Sequence, residues 1–144
     1  MYKKVIALAA LMALSSFAQA HTMQEFEEAT YVAENFYNFT SGDPSATSES
    51  KKEVNDIREN LGQSQLTIAL IYSFGGKYFQ KEHPSLAKKL KISDLSKVKQ
   101  DISKGVLYAK MSCKKGNEGG CTILKGAQEG CDNGNKDLCE FLNQ

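Results

Sequence analysis

Cys113-KKGNEGG-Cys121-TILKGAQEG-Cys131-DNGNKDL-Cys139 holds all four cysteines of this 144-residue chain, and its reading decides the fold. Seven residues lie inside each outer pair and nine between the pairs. Gly and Asn crowd KKGNEGG, and again Asp132-Asn133-Gly134-Asn135, so both intervals read as turns. Ahead of the first turn, Leu95, Val98, Ile102, Val106, Ala109 and Cys113 recur at the spacing of one helical face, while Lys97, Lys99, Lys104 and Lys110 mostly take the other. This predicts a helix from about Asp94 to Cys113, capped by Ser93. Between the turns, Cys121, Leu124, Ala127 and Cys131 share a second face, and Leu138, Cys139, Phe141 and Leu142 mark a short last helix. Each cysteine pair then spans a helix–turn–helix corner, one cysteine about a turn before the bend and one about a turn after. Antiparallel helices bring such positions within disulfide range. The expected bonds are Cys113–Cys121 and Cys131–Cys139. Zinc is the rival use of four cysteines, but the close C-x2-C pairs of structural zinc sites are absent.

The first residues, MYKKVIALAALMALSSFAQA, explain why disulfides are expected at all. Lys3 and Lys4 precede a short apolar run, Val5 to Leu14, and Ala18-Gln19-Ala20 has the A-x-A form of a signal-peptidase site. Residues 1–20 read as a bacterial export signal cleaved after Ala20, which places residues 21–144 in the periplasm or outside the cell, where thiols oxidise. The formal charge of +1 includes Lys3 and Lys4, leaving −1 for residues 21–144. The distribution is uneven: residues 21–63 carry nine acids and three bases, residues 77–115 eleven lysines and three acids. The basic middle reads first as a solvated lysine-rich face, and otherwise as a surface for an anionic partner. No stretch after the signal is long and apolar enough to suggest a membrane-spanning helix.

The rest of the chain also reads as helices, in one domain over residues 21–144. Thr22-Met23-Gln24-Glu25 has the form of a capping box, opening a helix to about Thr40 with Phe26, Ala29, Ala33, Phe36 and Tyr37 on one stripe. Tyr31 and Phe39 fall off that stripe. Burial by a second neighbouring helix is the simpler expectation for them, and an aromatic partner surface the alternative. Ser41-Gly42-Asp43-Pro44 ends this helix. Another begins near Ser48 with Val54, Ile57 and Leu61 on its buried edge, and Gly62 either ends it or sits inside a longer one. Leu66 to Phe74, LTIALIYSF, would suit a strand, but no second strand signal exists to pair with it, so it is expected as a helix at the centre of the core. That helix is expected to pass Gly75-Gly76, a place for close packing, and reach about Gln80 before His83-Pro84 breaks the chain. Ser85 to Leu90 reads as a further short helix. The fold expected is all-α: a small bundle of antiparallel helices ending, over residues 105–143, in disulfide-clipped αα-hairpins.

The segment from Tyr108 through Cys113-Lys-Lys-Gly-Asn-Glu-Gly-Gly-Cys121 to Leu124 resembles a corner of the Sel1-like repeats, in the cysteine-rich bacterial form whose helix pairs are each clipped by a C-x7-C disulfide. Gly130 to Leu142, with Cys131 and Cys139, resembles the same corner again. The resemblance covers about residues 105–143. Those repeats recur at about twice the spacing seen here, so the middle helix must serve both corners. The resemblance implies an exported, helical, protein-binding scaffold.

Some members of that group are credited with binding penicillin. Such chemistry uses S-x-x-K with S-D-N and K-T-G. The chain has S-x-x-K at Ser48, Ser85, Ser96 and Ser112 but neither partner motif. No nucleophile elbow or phosphate loop occurs. A copper site built on an amino-terminal His21 would need further ligands, and His83 is the only other histidine. No catalytic residue, metal or cofactor is assigned, and nucleic acid is not an expected partner. The expectation is a non-enzymatic module that binds another protein, an effector or an envelope component, in the manner of a periplasmic immunity or inhibitor protein. Tyr31, Phe39, Lys88, Lys89 and Lys91 are the candidate contacts. An envelope enzyme acting on cell-wall or lipid material, and a structural scaffold in envelope assembly, are the alternatives.

Overall fold

A computed structural model describes residues 20–144; the expected export signal, apart from Ala20, lies outside them. Among the described residues the chain forms seven α-helices: α1 Met23–Thr40, α2 Ser48–Phe74, α3 Gly76–Glu82, α4 Pro84–Leu90, α5 Ile102–Lys114, α6 Glu118–Asp132 and α7 Lys136–Asn143. A 3₁₀ turn, Leu95–Lys97, lies between α4 and α5. The all-α class is borne out. The run LTIALIYSF is helical, and most of it is core: Ile68, Ile71 and Tyr72 cluster with Met23, Phe26, Phe79, Ile92 and Leu95. Only its last residue, Phe74, turns out to solvent.

α2 is one helix of 27 residues. Thr47 Oγ1 caps it by accepting the Ser50 N–H at 3.2 Å. Gly62 lies inside it, where it lets the end of α5 come close: a Cβ there would stand 3.4 Å from Lys115 Cβ. Gly105 of α5 does the same further along, since its Cβ would lie 2.4 Å from Ser73 Oγ. Ala69 and Ala109 are fully buried on the same two helices. Ser112 Oγ donates to the Gly62 carbonyl at 2.7 Å, so even the hydroxyl in this seam is satisfied.

The expected continuation of this helix to Gln80 is corrected at Gly75, which sits at φ 86° and turns the chain. The next residue explains why the turn is needed. A Cβ on Gly76 would lie 1.6 Å from the Leu95 carbonyl oxygen, and the Gly76 N–H donates to Val98 O at 2.9 Å. The chain breaks so that the 95–98 segment can pass against it.

That segment also corrects the expected helix from Asp94. α5 starts at Ile102, with Asp101 as its cap in place of Ser93. Leu95 and Val98 keep helical spacing, but they pack from a 3₁₀ turn and an extended stretch. The backbone there has other work. Asp101 N–H donates to Tyr72 O at 2.8 Å, and Gln100 Nε2 to Ser73 O at 2.8 Å, satisfying carbonyls that the end of α2 would leave bare. Ser93 N–H donates to His21 O at 2.8 Å, and Asp94 Oδ1 accepts the Met23 N–H at 2.8 Å. Residues 93–101 therefore staple the start of α1 to the end of α2.

The expected disulfides are present. Cys113–Cys121 joins α5 to α6 with Cα atoms 4.6 Å apart, and Cys131–Cys139 joins α6 to α7 at 4.8 Å. Asn117 Oδ1 caps α6 and Asn135 Oδ1 caps α7, each at 3.2 Å. Gly119 and Gly120 lie inside α6, not in the turn: their missing side chains make room for Leu66 and Ser112. Lys110 Nζ donates to the Phe141 and Leu142 carbonyls at 3.1 and 2.6 Å, closing the exposed end of α7 onto α5.

Gly76→Ala should lower the unfolding free energy by about 3 kcal/mol, because the clash is with backbone that cannot yield. Gly126→Ala, where no atom lies within 4 Å inside α6, should raise it by about 0.5–1 kcal/mol. Urea titrations of both variants check the pair.

α7 buries no residue fully, and an isolated helix of its length is marginal. Each clip spans a sequence separation of 8, a loop whose closure contributes about 2–3 kcal/mol. In Cys131→Ser/Cys139→Ser, amide exchange should accelerate in α7 while α2 and α5 keep their protection.

Candidate partner-binding surfaces

The orientation of α1 is fixed by two carboxylates seven residues apart, hence on one side of the helix. Glu27 accepts the Tyr72 hydroxyl at 2.7 Å and the Tyr108 hydroxyl at 3.2 Å. Lys104 Nζ stands 3.9 Å from the same carboxylate and 4.8 Å above the Tyr72 ring. Burial, and then the neighbouring Glu27 carboxylate, push both tyrosine hydroxyls well above the ordinary tyrosine range.

Two turns on, Glu34 forms an ion pair with Lys115, whose side chain is 4% exposed. Gln65 Nε2, in the core of α2, donates to the same carboxylate at 2.9 Å. Lys115 Nζ also faces the Tyr37 ring at 5.4 Å. The reading of the basic middle as a wholly solvated face is therefore corrected at Lys115, because the α5–α6 turn carries it under α1. Arg58 Nη1 holds that turn from outside by donating to Lys115 O at 2.9 Å.

With Met23, Phe26, Thr30 and Ala33 turned inward, α1 presents its other side to water. Tyr31, Val32 and Phe39 are 67%, 59% and 80% exposed. The expected burial of Tyr31 and Phe39 by a second helix is overturned: α1 packs chiefly along α2, through Met23, Phe26, Thr30 and Ala33. α1 therefore carries three large apolar side chains in water, the kind of exposure that marks interaction surfaces when the side chains are contiguous.

A second apolar surface lies at the Gly75 break. Phe74 and Tyr78, about half exposed, stand with ring centroids 5.3 Å apart. They form one wall of an open cleft of about 590 Å³, whose other wall is residues 96–99. Lys77, Lys97 and Lys99 line it and no acid does. Sequence reading missed this site because Phe74 belongs to the most apolar run. The Gly75-Gly76 pair was the available signal that the run's last residue would be turned out of the core.

An adjoining groove holds three acids, Glu27, Asp94 and Asp101. Each has a structural partner: Glu27 the two tyrosines, Asp94 the Met23 N–H, Asp101 the Lys104 N–H at 3.1 Å. His83 is exposed beside the Phe79 ring. His21 is buried, its backbone bridged to Lys91 and Ser93. Among the described residues no three His, Cys, Asp or Glu side chains gather into a metal-sized cluster. No described helix is long and apolar enough to cross a membrane.

The five residues named from sequence lie on two elements, the end of α4 and the helix α1. Lys88 and Lys89 are exposed in the last turn of α4. Lys91 follows them in a left-handed conformation, its carbonyl accepting the His21 N–H at the start of α1. Tyr31 and Phe39 lie further along that 18-residue helix, and Phe39 is about 27 Å beyond His21 along the axis. Comparison with protein-family models, curated proteins and solved structures gives no match.

The tyrosine–Glu27 cluster makes a signed prediction. Both phenols are held neutral in the fold, so their contribution to stability is complete below about pH 10, the unfolded tyrosine value, and is lost as pH rises toward the higher native value. The denaturation midpoint should fall between about pH 9.5 and 11.5, and fall less steeply in Tyr72→Phe/Tyr108→Phe.

Proposed function

We propose that this chain is an exported, non-enzymatic protein-binding module, acting in the bacterial periplasm or beyond it after cleavage at Ala20, and serving as an immunity or inhibitor protein against an effector. The observation that carries this reading is the exposed Tyr31, Val32 and Phe39 on a helix whose opposite side is buried through Met23, Phe26, Thr30 and Ala33 and whose flank is held by Glu27 and Glu34. A rigid helix presenting aromatic side chains loses little entropy when a partner covers it. The two disulfides fit an oxidising compartment. The paired C-x7-C corners support α5–α7 as a degenerate relative of the cysteine-rich Sel1-like repeats. The acids of the groove lined by Glu27, Asp94 and Asp101 are committed to structural hydrogen bonds, which weakens the alternative of a carboxylate enzyme.

Affinity capture from periplasmic extract, followed by growth rescue against the neighbouring gene's product, tests this reading. The parent protein should retain a partner and protect. Tyr31→Ser/Phe39→Ser should keep its fold by circular dichroism and lose at least about tenfold in affinity. Neither partner nor protection would remove the proposal.

A further inference from the structure

We infer that the cleft between Phe74–Tyr78 and residues 96–99 binds an acidic peptide segment bearing an aromatic side chain, which deepens and rests on the protein-binding reading above. Three features of the cleft select this ligand. Its floor and walls are preformed: Gly76 is pressed against the Leu95 carbonyl, and its N–H is bonded to Val98 O at 2.9 Å. The ligand therefore need not order the site on arrival. Its apolar wall is a tilted pair of half-exposed rings, 5.3 Å between centroids, leaving face and edge positions for a third ring. A volume of about 590 Å³ accommodates one large side chain with its flanking backbone.

The charge decides the rest. Lys77, Lys97 and Lys99 surround the rings without an acid in the lining, and none of the three forms an ion pair among the described residues. A carboxylate on either side of the inserted ring would meet a lysine that has no internal partner to give up. The adjoining groove is different. Lys97 and Lys99 border both, but in the groove Glu27, Asp94 and Asp101 join the lining, so only the side carrying the rings and Lys77 has the uniform sign that attracts an anion.

The chain contains no tryptophan, so the fluorescence of a peptide tryptophan reports binding directly. A synthetic peptide of alternating glutamate and tryptophan should bind the purified protein saturably, with a blue shift. Its lysine–tryptophan counterpart and a glutamate–serine control should bind at least about tenfold more weakly. Lys97→Glu/Lys99→Glu and Tyr78→Ser should each weaken the acidic peptide about tenfold without changing the melting temperature. Equal affinity for the basic peptide, or unchanged affinity in both variants, overturns the assignment. So does binding of phosphatidylglycerol vesicles by a protein that ignores the peptide. If the cleft variants still capture the cellular partner while Tyr31→Ser/Phe39→Ser does not, the cleft assignment fails and the protein-binding reading stands. If no variant matters because no partner exists, the broader reading fails with it.

Discussion

The close approach of α2 and α5 is the constraint on which the rest of this structure depends. Gly62 and Ala69 on one helix face Gly105, Ala109 and Ser112 on the other, and the Ser112 hydroxyl bonds directly to the Gly62 backbone. Small residues let the two backbones pack more tightly than leucine ridges would allow. A helix of 27 residues is thereby locked along the length of a partner of 13. Everything else attaches to this pair. α1 lies along α2 with its carboxylates reaching Tyr108 and Lys115 of the α5 arm, and residues 93–101 close the end of α2. α6 and α7 continue from α5 through the disulfide clips.

The two ends of the molecule are stabilised by different physics. Around Ile68, Ile71 and Phe79 there is enough apolar surface for a conventional core. Toward the C-terminus burial thins out, and α7 has no fully buried residue. There the chain relies on covalent links and on local capping: Asn117 and Asn135 at helix starts, Lys110 at the last carbonyls, and a clip at each corner. A small domain with little core at one end gains most from cross-links at that end, and this is where all four cysteines lie.

The buried charges serve orientation. Replacing Glu34 and Lys115 by apolar residues of similar size would cost little in principle, since the desolvation of a buried pair offsets much of its attraction. What the pair and the Glu27–tyrosine cluster provide is a fixed rotation of α1, because a helix turned by one position would bury an unmatched carboxylate. That fixed rotation places Tyr31, Val32 and Phe39 in water. The break at Gly75 has a similar consequence for Phe74 and Tyr78. In both places exposure of aromatic side chains follows from a constraint inside the molecule.

The sequence by itself determined the helical class, the capping box at Thr22, the disulfide pairing and the placement of LTIALIYSF in the core. These rest on periodicity and short-range spacing, and both are written in neighbouring residues. Glu27, Glu34 and Lys115 gave no such signal: their meaning lies in contacts with Tyr72, Tyr108 and Gln65, tens of residues away along the chain. Only the tertiary structure decided that Leu95 and Val98 would leave helical geometry, because the open carbonyls of Tyr72 and Ser73 needed donors that an α5 starting at Asp94 could not supply. It alone decided which aromatic side chains face water. Helical spacing tells which residues share a face, but the number of neighbours a helix receives, and the backbone groups those neighbours must satisfy, are set by the whole assembly.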